Sequence, residues 1–338
     1  MQAVDFIIAL DAMSGDLGPG VVVAAARQAL RRHPALAIAL VGDEAVLEPL
    51  VAAVRDDAAG RLVIRHAPEI VTMNDAPVDA LRRKKQSSMR VAVDLVKQGE
   101  AQACVSAGNT GALMAIAKFV LKTVQGIDRP AILAEMPARG GSVHMLDLGA
   151  NADCTAEQLF QFAMMGSVVT GDVRGLANPR VALLNIGEEE IKGDQTVKAA
   201  AALLGASGLN YVGYVEGNDI ISGKTDVVVT DGFTGNVALK TMEGTAGFIS
   251  EMLKAAFTET WLSKLQALAA QGVLGRLRAR LDPRHYNGAS LVGLTGIVVK
   301  SHGSADELAF LHAIETAVVE VEHDVPSQIG RLLQREAA

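Results

Sequence analysis

Short runs of aliphatic and β-branched residues alternate along this chain with longer alanine- and leucine-rich stretches, and few folds accept that alternation. Val4–Leu10, Leu36–Val41, Leu62–His66, Ala103–Ser106, Val143–Asp147, Val181–Asn185, Tyr211–Val215, Asp226–Thr230 and Ile297–Lys300 read as strands. Several are apolar throughout, the pattern of strands covered on both faces in a parallel sheet. Between them Gly20–Arg32, Gly111–Lys122, Ala156–Val169 and Ala305–Glu322 follow helical spacing. Pro19 stands at a first helical position, where its missing N–H costs nothing. The expectation is an α/β fold, a mostly parallel sheet with helices on both faces. The 338 residues fit a single domain over 1–338, or two intertwined α/β halves within it. The Pro-containing tail after Val325 is expected to fray.

Composition narrows the function classes. Half the residues are hydrophobic and a fifth charged, which excludes wholesale disorder. A formal net charge of −7 gives no global attraction to nucleic acid or to an anionic membrane. The two cysteines, Cys104 and Cys154, form no CxxC pair and no zinc-type spacing, which suits a reduced, cytoplasmic compartment. No signal-peptide pattern opens the chain. Gln102, Ser106 and Asn109 interrupt the longest uncharged stretch, Ala101 to Ala117, so no membrane-spanning helix is expected.

In open α/β sheets, ligands bind beyond the carboxyl ends of the strands. Six polar loops follow the predicted strands here: Asp11–Gly18 with Gly15, Ser106–Gly111, Asp147–Asn151, Asn185–Gly193, Thr230–Asn236 and Lys300–Ser304. Any one of them is better read as turn and helix-cap chemistry. Six along one sheet edge instead favour a polar cleft for an oxyanion, with glycine backbone and helix N-termini as donors. The ATP phosphate loop, the dinucleotide glycine fingerprint and the serine-hydrolase elbow are all missing from the sequence. Both cysteines read as small core residues. Such a site works by positioning and electrostatic stabilisation, without a covalent intermediate.

These loops resemble those of the bacterial phosphate acyltransferase family, also called acyl-ACP:phosphate transacylase. The matching stretches are Ala9–Met13, Ser106–Ala112, Asp147–Asn151, Asn185–Glu189, Glu216–Asp219, Thr230–Asn236 and Ser301–Gly303, in the family's order and across nearly the whole chain. Ser14 departs from it, standing where the family typically has a second glycine. The resemblance implies a fold like that of isocitrate and isopropylmalate dehydrogenases, and a homodimer. It also implies transfer of a long-chain acyl group from acyl carrier protein (ACP) to inorganic phosphate, with no organic cofactor and no required metal. The acyl phosphate would feed a membrane glycerol-3-phosphate acyltransferase in phospholipid synthesis.

With that resemblance, Lys192 is expected as the main phosphate contact, although alone it reads equally as a solvated lysine after an acidic run. Asn236 and Thr234 would place neutral donors near the carbonyl or phosphate, or cap their helix. Asn109, Thr110 and Gly111 would bind through side chain and helix N-terminus. Asp11, Asp147 and Asp231 stand at strand ends, with Asn151 and Asn185 beside them, where capping is at least as good a reading. His302 is a candidate general acid or base and equally a hydrogen-bonded loop histidine.

The basic cluster Arg82, Arg83, Lys84, Lys85 and Arg90 would steer acidic ACP, where otherwise it reads as a solvated helix end. From Phe257 to Leu281, apolar residues including Trp261, Leu265, Leu274 and Leu277 recur at helical spacing among basic ones. This amphipathic segment, 257–285, would touch a membrane surface, or pack in the core or on a second subunit. Rival readings are a short-chain phosphate acetyl- or butyryltransferase using acyl-CoA, a decarboxylating dehydrogenase, and a non-catalytic ACP and membrane scaffold.

Overall fold

The computed structural model describes residues 4–54, 60–275 and 282–336. Its strands are β1 (Phe6–Asp11), β2 (Leu36–Gly42), β3 (Leu62–His66), β4 (Ala103–Ser106), β5 (Ala131–Ala138), β6 (Gly141–Leu146), β7 (Val181–Leu184), β8 (Tyr211–Val215), β9 (Val227–Val229), β10 (Ala289–Val292) and β11 (Ile297–Lys300). They form one eleven-stranded sheet in the order β3-β2-β1-β4-β11-β10-β5-β6-β9-β7-β8. All nine predicted strands are present. β5 and β10 are additions, and both lack the sequence signal: β5 reads AILAEMPA, with Glu135 and Pro137 inside it, and β10 has four residues.

Those two strands change the topology. β3, β2, β1, β4 and β11 run parallel to one another, and β6, β9, β7 and β8 form a second parallel set. Antiparallel pairings β11–β10, β10–β5 and β5–β6 join the sets, so the second runs opposite to the first. The expectation that all six loops share one edge is therefore corrected. The registers nonetheless bring the loops together. Ser290 pairs with both Val299 and Leu133, and Ala134 pairs with Met145, so the ends of β11 and β6 both come level with Leu133 on β5. The two carboxyl edges thus approach each other from opposite directions at the middle of the sheet.

Helices cover both faces, as strand alternation requires. On one face Ile8, Leu10, Ile38 and Leu40 pack under the Pro19–Arg32 and Glu307–Glu322 helices. On the other, Ala9, Ala39 and Val41 pack against the Ser88–Gln98 and Thr110–Leu121 helices. Each fully buried leucine or isoleucine contributes roughly 1.5–3 kcal/mol. The second half has its own core around Phe162 of the Ala156–Arg174 helix, which starts with a reciprocal Thr155–Gln158 capping box.

The tail after Val325 does not fray. It forms the helix Val325–Glu336, with Pro326 in its first turn and Val325 and Ile329 buried against the second core. One helix departs from the packed pattern: Gly232–Thr258 fully buries only Gly232 and Gly235, with Ala238, Leu239 and Met242 packed part-buried against the core.

Candidate active site

On the first carboxyl edge, Asp11 at the end of β1 is fully buried. The Ser106 hydroxyl donates to one of its oxygens at 2.7 Å, while Oδ1 has no hydrogen-bond partner. Burial pushes its pKa up. Gly15, at φ 95°, lies against Ala107, and the Asp16 amide donates to the Gly303 carbonyl at 2.8 Å, tying the first loop to the last. Asn109 is committed to backbone. Its side chain accepts from the Ala112 amide and donates to the Met73 and Asp75 carbonyls. It caps the Thr110–Leu121 helix, whose first residue, Thr110, faces the cleft described below. Gly111 leaves only enough room for Pro77, whose Cγ lies 3.0 Å from where a Cβ would sit.

On the opposing edge, a cis peptide joins Leu146 to Asp147. The Asp147 carboxylate is buried and accepts from the Ile132, Gly149, Ala150 and Asn151 amides and from Asn151 Nδ2. Burial raises its pKa against these five bonds. Asn151 also donates to the Pro130 carbonyl. Asp231 caps the Gly232–Thr258 helix, taking the amide and the hydroxyl of Thr234 at 2.8 and 2.7 Å. Asn185 is buried with Nδ2 unpaired, its Oδ1 in the space a Cβ on Gly193 would fill. Most of these polar residues fold the loops that carry them.

Between the edges opens a cleft of about 1850 Å³. Of the residues expected from sequence, Thr110, Asn236 and His302 line it. Asn236 stands exposed as the fifth residue of its helix, beside Gly149. His302 Nδ1 accepts from the Ser304 amide at 3.2 Å, and its own amide donates to Asn287. Lys192 is exposed on the loop after β7, its amide donating a hydrogen bond back to the Glu189 carbonyl, and it does not line the cleft. The lysines that do are Lys224, Lys240 and Lys300.

Lys224 and Lys240 sit in no recognisable motif, and Lys300 was expected only as part of the Lys300–Ser304 loop. Lys300 had a usable signal, a lysine ending an apolar strand at a loop already singled out. Burial pushes its pKa down to about 8.

The basic cluster begins at the end of the Pro77–Arg83 helix, which starts against Gly111, and none of its residues lines the cleft; much of its charge is spent. Arg83 pairs with Asp79, Lys84 with Asp75 at 2.6 Å and Arg90 with Asp94. Arg82 and Lys85 are exposed. In the apolar segment Trp261 is 75% exposed and Leu265 53%. Leu274 lies in the described part, whereas Leu277 falls outside the described residues. No helix among the described residues is long and apolar enough to cross a membrane.

The arrangement defines a class: an α/β protein with two opposed parallel half-sheets and a large cleft, apolar-walled and lysine-bearing, where their carboxyl edges meet. A phosphotransacetylase from Streptococcus pyogenes shares this fold, with a TM-score of 0.61 at 18% identity over 94% of each chain. The model of a family described as "Fatty acid synthesis protein" matches residues 6–328. A phosphate acyltransferase of Methylococcus capsulatus is 58% identical over 323 residues, covering 96% of this chain and 95% of that one. One from Halorhodospira halophila is 57% identical, covering 97% and 96%. The chain belongs to this phosphate acyltransferase family, acyltransferase enzymes of fatty acid synthesis.

Proposed function

We propose that the cleft moves a long-chain fatty acyl group from the thioester of ACP to inorganic phosphate, releasing an acyl phosphate for phospholipid synthesis. A phosphate oxygen attacks the thioester carbonyl carbon, the C–O bond forms, and the C–S bond breaks with the carrier thiol as leaving group. Phosphate is a nucleophile at neutral pH, so the protein's task is to hold two partners in line and to stabilise charge on the carbonyl oxygen. Asn236, Thr110 and the N-terminus of the Thr110–Leu121 helix supply neutral donors for that oxygen.

The observation that carries the long-chain reading is the apolar wall of the cleft. Ile132, Ala134 and Met136 share one face of β5, and Leu239, Met242 and Ile249 face the cleft from the long helix. The volume is well above the roughly 1,000 Å³ of a large small-molecule pocket, so a two-carbon acyl group would leave most of it empty. Each methylene buried there contributes about 0.8 kcal/mol.

The exposed Arg82 and Lys85 support an acidic carrier as donor, and the exposed apolar helix supports a homodimer with peripheral membrane contact. His302 lines the cleft as the candidate acid or base, whereas Lys192, expected as the main phosphate contact, stands outside its lining. The test compares kcat/KM for palmitoyl and acetyl groups, each on ACP and on coenzyme A. A preference of 100-fold or more for palmitoyl-ACP over acetyl-CoA is expected. The reverse preference would establish the short-chain transferase instead.

A further inference from the structure

The three lysines of the cleft are held differently. Lys224 pairs with Asp219 and Glu188 at 3.0 and 3.1 Å, and Lys240 with Glu243 at 2.7 Å. Among the described residues Lys300 has no carboxylate within ion-pair distance. Its ammonium donates to the backbone carbonyls of Ala107, at 3.4 Å, and Ser301. An ammonium has three protons, so two neutral acceptors leave one of them for a further acceptor. A largely buried cation held only by carbonyls is costly unless an anion completes its shell.

The surroundings suit such an anion. Lys300 ends β11 beside the Ser106–Gly111 loop, where the Thr110–Leu121 helix presents its N-terminus to the same cleft. Lys240 faces it from the long helix, close enough for each positive charge to feel the other.

We propose that Lys300 is the cation that holds the attacking phosphate, as its direct contact at the floor of the cleft. This deepens the acyl-to-phosphate reading above and rests on it. Lys240, although paired with Glu243, adds positive potential on the same side of the cleft, which favours an anion there over a neutral carbonyl oxygen. The titratable and charged groups facing Lys300 are Asp11 on β1, Asp16 in the loop that follows, Lys240 on the long helix and His302 two residues on. Burial and Lys240 depress its pKa while Asp11 and Asp16 oppose them, so its charge is lost near pH 8.

The test uses the full-length chain with Lys300→Met and Lys300→Arg. Kinetics would give KM for phosphate and for the acyl donor, calorimetry would follow inorganic phosphate binding without a donor, and a melting curve would check the fold. Lys300→Met should raise the phosphate KM at least tenfold, leave the donor KM within twofold and keep the melting temperature. Lys300→Arg should retain most of the phosphate affinity and abolish its weakening above about pH 8. A phosphate KM within twofold of wild type in a folded Lys300→Met overturns the inference. If that variant does not fold, an unchanged alkaline limit in Lys300→Arg overturns it. Wild type that releases no carrier thiol, yet binds phosphate in a Lys300-dependent way, would sink the transfer reading and keep the lysine.

Discussion

Asp11 and Asp147 are the same residue type at equivalent strand ends, yet they are used differently. Asp147 is saturated by five donors, whereas Asp11 keeps one buried oxygen without a partner. Removing the Asp147 carboxylate strands those donors in the interior. Asp147→Ala should cost about 3–5 kcal/mol in denaturant unfolding, while a loss under 1 kcal/mol would contradict the account. Glu320 tests the opposite sign. Fully buried and bonded to Ser290, it faces His144 and Glu135 across a cavity of about 200 Å³, and burial raises its pKa to about 7. A carboxyl raised from about 4.5 to 7 binds its proton more tightly when folded, so stability falls as pH rises through that window. Glu320→Gln should therefore gain on the order of 3 kcal/mol over wild type at pH 8 and almost none at pH 4.5. Equal gains at both pH values would refute this. The sequence disclosed which residues end strands. It did not disclose which are consumed by capping, because Asn109 and Asp231 look the same whether their donors are backbone amides or a ligand.

Among the elements, the strands that were legible are those whose aliphatic runs are buried on both faces. β5 and β10 escaped because their side chains meet different neighbours on each side and carry no simple period. That miss hid the reversal between the two half-sheets, since a single reversed pairing redirects every strand beyond it. The convergence of the loops depends on close backbone approach as much as on topology. A Cβ on Gly235 would overlap the Asp147 carbonyl oxygen, so only glycine lets the Gly232–Thr258 helix start against the β6 loop. Gly235→Ala should displace Asn236, lowering kcat at least tenfold and stability by about 1–3 kcal/mol. Wild-type kinetics in that variant would show that the helix start does not set the site. The C-terminal helix carries a plainer lesson: one proline in a tail did not prevent helix, because Pro326 sits in a first turn where no N–H is needed.

At the scale of the whole molecule, the long helix leaves an apolar surface exposed among the described residues. Phe248 and Met252 are 62% and 56% exposed, and Trp261, Leu265 and Leu268 continue the surface beyond it. Patches of this kind mark contact with another protein or a membrane. Sedimentation should give twice the 35.3 kDa mass of one chain. Leu265→Glu with Leu268→Glu should reduce co-sedimentation with anionic vesicles several-fold without changing turnover of soluble donor. Unchanged vesicle binding would remove the membrane reading. The chemistry itself is tested most directly by incubating the purified chain with palmitoyl-ACP, with and without inorganic phosphate. Free carrier thiol is followed, and acyl phosphate is trapped by hydroxylamine. The account predicts thiol release only with phosphate and one palmitoyl hydroxamate per thiol. Release without phosphate, or no release at all, would contradict it.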